Sequence, residues 1–154
     1  MLHEGDKAPD VRLPLPDGSS TSVADHLGAP LVLYFYPKDD TPGCTTEAKA
    51  FTTLAAEFEA IGATVIGISK DPAKKHQKFI DKHELKVKLA SDDDGAICEA
   101  YGTWIEKTLY GRNYMGIDRA TFLIGKDGGI AKIWRKVKVA GHAEAVLEAA
   151  RNVA

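Results

Sequence analysis

The chain has few cysteines, no long apolar run and little net charge, and each shortage excludes a class of protein. Its 154 residues include two cysteines, Cys44 and Cys98, whose wide spacing matches neither a disulfide framework nor a zinc site. The longest apolar run, LVLYFY, is far too short to span a bilayer. A net charge of −2 does not indicate binding to nucleic acid. The first ten residues lack the apolar core of a secretory signal, so we expect a cytoplasmic protein with no membrane partner.

Motifs for metals and cofactors are also missing. The internal histidines are predicted to lie in polar or helical surface contexts: His26, His76, His83 and His142. None pairs with another at ligand spacing beside a carboxylate, so no metal is expected. The run 92–95 (DDDG) is too short for a calcium loop and is predicted to be a turn. KDGG (126–129) lacks the spacing of a phosphate loop and predicts a hairpin, so no cofactor is expected.

The remaining pattern predicts a single domain spanning 1–154. Five apolar runs are typical of buried strands: 30–37, 63–69, 87–91, 120–124 and 130–136. Helical spacing is found between these runs and at the end, at 42–61, 96–102 and 141–153. A further helix can be opened by Asp71 and Pro72, with Phe79 and Ile80 facing inward. Alternating strands and helices predict an α/β protein, with a central mixed β-sheet flanked by helices, in a thioredoxin-like layout.

Cys44 stands where the first of these strands gives way to a helix. Asp40 or Thr41 can cap that helix and Pro42 suits its first position, which places Cys44 in the first turn. Unpaired N–H groups and the helix dipole favour negative charge there. Because the thiolate is the nucleophilic form of cysteine, Cys44 is predicted to react rather than to pack.

Two neighbours of Cys44 have alternative interpretations. Thr41, three residues earlier, has a hydroxyl that can approach the sulfur or simply cap the helix. Glu47, three residues later, can complete a capping arrangement. The residues alone do not decide between these uses.

The arrangement P-x-x-x-T-x-x-C, formed by Pro37, Thr41 and Cys44, resembles the active-site signature of peroxiredoxins. The stretch YFYPKDDTPGCTTEAKAF is most similar to the Q type, also called the bacterioferritin-comigratory subfamily. The similarity continues through GDKAPD, SDDDG, AYGTW and YGRNYMGIDRATFLIGKDG, and so extends over almost the whole chain.

This resemblance implies a role for each matching residue. Cys44 would attack a hydroperoxide and become a sulfenic acid, and Thr41 would hold the peroxide oxygens. Pro37 would shape the loop and shield the thiolate. Arg119 matches the family's arginine, and the backbone N–H groups of Gly43 and Cys44 would act as further donors. Without the resemblance, Arg119 would be interpreted as a member of an ordinary surface ion pair.

Many Q-type members carry a second, resolving cysteine five residues after the first, but this chain has Lys49 there. Cys98 shares an apolar stripe with Ile97 and Tyr101, so core packing is its first interpretation. The alternative is that Cys98 resolves the oxidised Cys44. If Cys98 only packs, the resemblance implies an external reductant such as thioredoxin, glutaredoxin or glutathione.

The aromatic segment before Arg119 is predicted to pack near the active site and to form an apolar rim for organic hydroperoxides. Its members are Trp104, Tyr110, Tyr114 and Met115.

Three functions compete at this point. The first is a thiol peroxidase acting on hydrogen peroxide and organic hydroperoxides. The second, a thiol–disulfide oxidoreductase, lacks a C-x-x-C motif because Glu47 occupies the second position. The third is a redox-sensing or chaperone-like interaction protein that responds to oxidation of Cys44. Q-type relatives are commonly monomers and sometimes dimers, so a monomer is expected.

Overall fold

A computed structural model describes all residues, Met1–Ala154. The strands are β1 (Arg12–Pro14), β2 (Ser20–Ser22), β3 (Leu31–Phe35), β4 (Thr64–Ser69), β5 (Lys88–Ser91), β6 (Trp104–Leu109), β7 (Arg112–Ile117), β8 (Ala120–Ile124) and β9 (Ile130–Trp134). The helices are α1 (Pro42–Thr53), α2 (Ala55–Ala60), α3 (Ala73–His83), α4 (Ala96–Tyr101) and α5 (His142–Val153). A short 3₁₀ turn spans Ala24–His26.

Five strands form the central sheet in the order β5-β4-β3-β8-β9. β3, β4 and β5 run parallel, whereas β8 is antiparallel to β3, and β9 is antiparallel to β8. The parallel pairs are joined through α1 and α2 and then through α3, as crossover connections require. The predicted α/β class with a mixed central sheet is confirmed.

Alternating residues of β3 point to opposite faces of this sheet and enter two separate apolar cores. Leu33 and Phe35 pack on the face covered by α4 and the N-terminal segment. Val32 and Tyr34 pack on the face covered by the other helices. The sheet is therefore a partition between two cores.

The predicted helix 42–61 is in fact two helices. α1 ends at Thr53, and Leu54 (φ −97°, ψ 8°) interrupts the helix before α2 begins. The two preceding threonines have side-chain hydrogen bonds at this point. Thr53 Oγ1 donates to the carbonyl of Lys49, and Thr52 Oγ1 accepts from the backbone N–H of Lys86. A hydroxyl that bonds back to the carbonyl four residues earlier, as in Thr53, favours bending of a helix.

The hairpin of β6 and β7 was missed by the sequence analysis. These strands pair only with each other, and most of their side chains are half-buried or exposed, which weakens any alternating pattern. Their two-residue turn is Tyr110–Gly111, with φ of +51° and +77°. The usual sequence signal for such a turn is Asn-Gly. Because tyrosine rarely adopts a positive φ, Tyr-Gly did not indicate a turn here. The small pair of β1 and β2 was also not predicted.

No helix in the molecule combines the length and apolar character needed to cross a membrane.

Candidate active site

Cys44 lies in the first turn of α1, as predicted. Thr41 precedes the helix in an extended conformation, Pro42 is the first helical residue, and Cys44 is only 2% exposed. The backbone N–H groups of Gly43 and Cys44 donate to no other group of the protein. Two amide donors are therefore available beside the sulfur for a small polar substrate.

Arg119 reaches this sulfur because of the antiparallel pairing of β3 with β8. Phe35 lies opposite Ala120, so Arg119 stands next to the end of β3, where the chain turns towards α1. Its Nη2 donates to Cys44 Sγ at 3.4 Å, and its side chain is 18% exposed. A guanidinium in contact with the sulfur stabilises a thiolate electrostatically.

Gly43 leaves the space that the guanidinium occupies. A methyl group added at Gly43 would lie 3.2 Å from Arg119 Nη2. Alanine at this position would require the guanidinium to move by a few tenths of an ångström.

Glu47 completes the contact in a way that the sequence analysis did not predict. It accepts a 2.8 Å hydrogen bond at Oε1 from Arg119 Nη1 and is 1% exposed, whereas its other oxygen has no partner. The capping role suggested for Glu47 is wrong. Burial raises the pKa of its carboxyl group to about 7, and the neighbouring Arg119 only partly opposes this. In the sequence, this role of Glu47 beside the sulfur was indicated by its position one helical turn after Cys44.

Thr41 and Pro37 lie on the loop before α1. Thr41 Oγ1 donates to the carbonyl of Lys38 at 2.8 Å and makes no capping bond, so the suggested side-chain cap is wrong. Pro37 is exposed at the start of the loop. Their roles toward the peroxide stay predictions.

Cys98 is fully buried with Ile97 and Tyr101, in the core on the opposite face of the sheet from Cys44. Burial raises the pKa of the Cys98 thiol to about 12, and a hydrogen bond with Asp92 acts in the same direction. A thiol in this environment is a poor nucleophile at neutral pH.

Two histidines predicted to lie in surface contexts are buried, and that prediction is wrong. His76 is fully buried and contacts Asp39 at 2.7 Å through Nδ1. His142 is 6% exposed, and its Nε2 lies 2.8 Å from Thr121 Oγ1. Burial lowers the pKa of His142 to about 4, and Arg119 adds to the effect. For His76 a signal existed, because Phe79 and Ile80 follow at helical spacing on the inward face.

The hairpin of β6 and β7 carries the side chains that were predicted to form an apolar rim at the site, three on its strands and one in the turn between them. Lys107 pairs with Tyr114 across the hairpin. Burial lowers the pKa of Lys107; Asp118 and Cys44 oppose this shift, and Arg119 adds to it. Tyr114 is about half exposed, but Tyr110 is 95% exposed at the tip and packs against nothing, contrary to prediction.

Comparisons with known proteins agree with this geometry. The model of the AhpC/TSA family matches residues 4–133. Peroxiredoxin Bcp of Xanthomonas campestris pv. campestris is 48% identical over 140 residues, which cover 91% of this chain and 88% of that protein. Peroxiredoxin Bcp of Bacillus subtilis is 45% identical over 149 residues, covering 97% of this chain and 95% of the relative.

Solved structures point the same way. A mutant of PrxQ from Xylella fastidiosa has a TM-score of 0.93 at 41% identity. The match covers 99% of this chain and 97% of the PrxQ chain. The bacterioferritin comigratory protein of Xanthomonas campestris, studied for its alkyl peroxide reduction activity, has a TM-score of 0.87 at 46% identity. The match covers 92% of this chain and 90% of that protein's chain. On the family match, the two relatives and these structures, the chain belongs to the AhpC/TSA family, as a peroxiredoxin and thus a thiol-dependent peroxidase.

Proposed function

We propose that Cys44 is the residue of this peroxidase that reacts with the peroxide. Its thiolate attacks one oxygen of a hydroperoxide, so that a sulfur–oxygen bond forms as the oxygen–oxygen bond breaks. The leaving oxygen takes up a proton and departs as water or an alcohol, and Cys44 becomes a sulfenic acid. The contact of 3.4 Å between Arg119 and the Cys44 sulfur is the observation that carries this assignment.

Making the thiolate is only a small part of the catalysis. Full conversion of a free thiol into thiolate at pH 7 raises the reactive fraction about thirtyfold. The accompanying loss of nucleophilicity removes roughly a factor of ten. The larger contribution must come from donors placed where charge develops on the departing oxygen. Arg119 and the free N–H groups of Gly43 and Cys44 are well placed for this, and Thr41 is a further candidate.

The sulfenic acid is then reduced by an external thiol, in our proposal. The reductant's thiolate attacks the Cys44 sulfur and forms a mixed disulfide with release of water, and a second thiol frees Cys44. Supporting this, the position five residues after Cys44 is Lys49, and the central sheet separates Cys44 from Cys98. A disulfide needs Cα atoms within about 7 Å, and even two directly stacked sheet layers lie about 10 Å apart.

We propose thioredoxin, glutaredoxin or glutathione as the thiol donor. We further propose that the protein acts in the reducing cytoplasm as a monomer with a single domain. We propose hydrogen peroxide and small organic hydroperoxides as substrates. The partly exposed Tyr114 and Met115 supply apolar surface on the hairpin beside the site.

The direct test is replacement of each cysteine in turn. Cys44→Ser is expected to abolish peroxide consumption in an assay coupled to thioredoxin, whereas Cys98→Ser is the matched control and should retain it. If Cys44→Ser consumed peroxide at the original rate, the assignment would be wrong.

A further inference from the structure

The loop between β3 and α1, residues 36–41, contains a buried polar cluster that the proposed reaction does not use. Asp39 is 8% exposed and its partner His76 is fully buried, although Lys38 and Asp40 on either side of Asp39 are exposed. Buried ionisable groups are costly unless each is hydrogen-bonded, so the contacts of this cluster define how the loop is held.

Asp39 makes one bond within the loop and ties the loop to two other parts of the fold, α3 and the end of β4. Its Oδ1 accepts from Tyr36 Oη at 2.5 Å, just beyond the end of β3. Its Oδ2 lies 2.7 Å from Nδ1 of His76 on α3. Its backbone N–H donates at 2.8 Å to Asp71, whose carboxylate also accepts from Ser69 at the end of β4.

The second nitrogen of His76 determines where the hydrogens lie. Nε2 is 3.0 Å from the carbonyl oxygen of Ala90 on β5, and a carbonyl can only accept, so Nε2 carries a hydrogen. The 2.7 Å contact between Nδ1 and Asp39 then requires one more hydrogen between the two atoms, whichever of them holds it. Removing either side chain leaves the other buried without its partner.

A second attachment of the loop is weaker. Asp40 has φ +59° and binds Lys82 at 2.7 Å and His83 at 2.9 Å, both near the end of α3. The Asp40 and Lys82 side chains are 42% and 61% exposed, so this pair is screened by water. The buried pair is therefore the main attachment of the loop to α3.

We propose that Asp39 and His76 are positioning residues that hold the loop against α3 and β5, and so set where α1 begins and how Cys44 faces Arg119. This inference rests on the proposed role of Cys44. The loop leads directly into α1, and Cys44 is the third residue of that helix. With only 2% of Cys44 exposed in the reduced protein, the same attachment limits the access of alkylating reagents to its sulfur.

The inference predicts opposite changes in two reactions of Cys44. In Asp39→Ala, the rate constant for oxidation by hydrogen peroxide should fall at least about tenfold, because reacting groups displaced by an ångström lose much of their rate. Alkylation of Cys44 by iodoacetamide should become at least about threefold faster, because the released loop exposes the sulfur. Stopped-flow oxidation and peptide mass mapping measure these two rates in the reduced protein.

Two variants separate positioning from a general loss of stability. Asp39→Asn should stay within about threefold of the wild type in both rates, because its oxygen still accepts from Tyr36 and its amide donates to His76. Asp92→Ala is the matched control. It removes a buried carboxylate that accepts from the N–H groups of Ile97 and Cys98 at the start of α4 and bonds to no residue of the loop, so it should change neither rate.

The proposal is overturned if Asp39→Ala shifts the two rates no more than Asp92→Ala does, or if both rates fall together. Should Asp39→Ala not fold, Tyr36→Phe decides, since it removes one hydrogen bond and keeps the ring. Tyr36→Phe should slow oxidation and speed alkylation, each by about two- to fivefold. Unchanged rates contradict the proposal. An active Cys44→Ser would instead overturn the proposed function itself.

Discussion

Arg119 donates to the sulfur of Cys44 from Nη2 at 3.4 Å while its Nη1 donates to Glu47 at 2.8 Å. Each terminal nitrogen of the planar guanidinium thus has one partner and keeps a second hydrogen for a substrate, and the orientation of the group toward the sulfur is fixed by the buried Glu47 side chain. This fork has the geometry of a preorganised donor, which needs no rearrangement when charge develops on an attacked peroxide.

Arg119→Ala is expected to slow the oxidation of Cys44 by hydrogen peroxide about a hundredfold or more, as removal of a preorganised donor does elsewhere. This loss should exceed the loss of thiolate, because the donor acts mainly on the departing oxygen. Stopped-flow oxidation combined with an ultraviolet titration of the thiolate measures both. Arg151→Ala, which breaks an exposed ion pair with Glu148, is the control. A rate loss no larger than the loss of thiolate would contradict the role of Arg119.

Gly43→Ala should separate activity from stability. Alanine is a better helix former than glycine by roughly 0.5–1 kcal/mol, so α1 should not be weakened. The added methyl group would lie 3.2 Å from Arg119 Nη2 and push the guanidinium from its place. We expect the oxidation rate to fall several-fold with an equal or higher midpoint in urea. Unchanged oxidation kinetics would show that the position of the guanidinium is not critical.

Glu47→Gln should change how stability depends on pH. Because burial raises the pKa of Glu47 to about 7, the unfolded chain releases this proton near pH 4.5 while the folded protein retains it until about pH 7. The wild type therefore loses stability as pH rises through this window, by up to about 3 kcal/mol. The glutamine side chain of the variant has no such proton. Urea unfolding at pH 4.5 and 7.5 should show that the free energy of unfolding of the variant rises relative to that of the wild type as the pH rises. An equal change in both proteins would contradict this prediction.

His142→Gln should have the opposite dependence. Burial lowers the pKa of His142 to about 4, so between pH 6.5 and 4 the unfolded chain binds a proton that the folded protein excludes. The wild type therefore loses up to about 3 kcal/mol as pH falls through this window. Glutamine can still bond to Thr121 and does not titrate. The stability gap between the two proteins should shift in favour of the variant on acidification, which denaturation at pH 4.5 and 7 measures.

The mass of the protein after one equivalent of peroxide distinguishes the two fates of the oxidised sulfur. With Cys98 on the far face of the sheet, we expect a gain of one oxygen at Cys44. A loss of two hydrogens with no free thiol would instead indicate a Cys44–Cys98 disulfide. Cys98→Ser should leave turnover with thioredoxin unchanged, and a marked loss of turnover in that folded variant would make Cys98 a participant.

Sequence patterns predicted the five central strands because their apolar runs are short, β-branched and bounded by turn residues. They failed for the hairpin of β6 and β7, whose side chains are mostly exposed and whose Tyr110–Gly111 turn is unusual. They also failed at Leu54, because the apolar spacing continues across the break and gives no local stop signal.

By itself the sequence determined that Cys44 would occupy the first turn of a helix, because a strand end, a proline and a glycine act locally on the backbone. Only the tertiary structure decided what surrounds that sulfur. The register that sets Phe35 opposite Ala120 brings Arg119 to Cys44. The packing of α3 buries His76 beside Asp39, and the sheet places Cys98 out of reach. These contacts join residues far apart in the chain, and strand order and register, rather than local preference, set the distances between them.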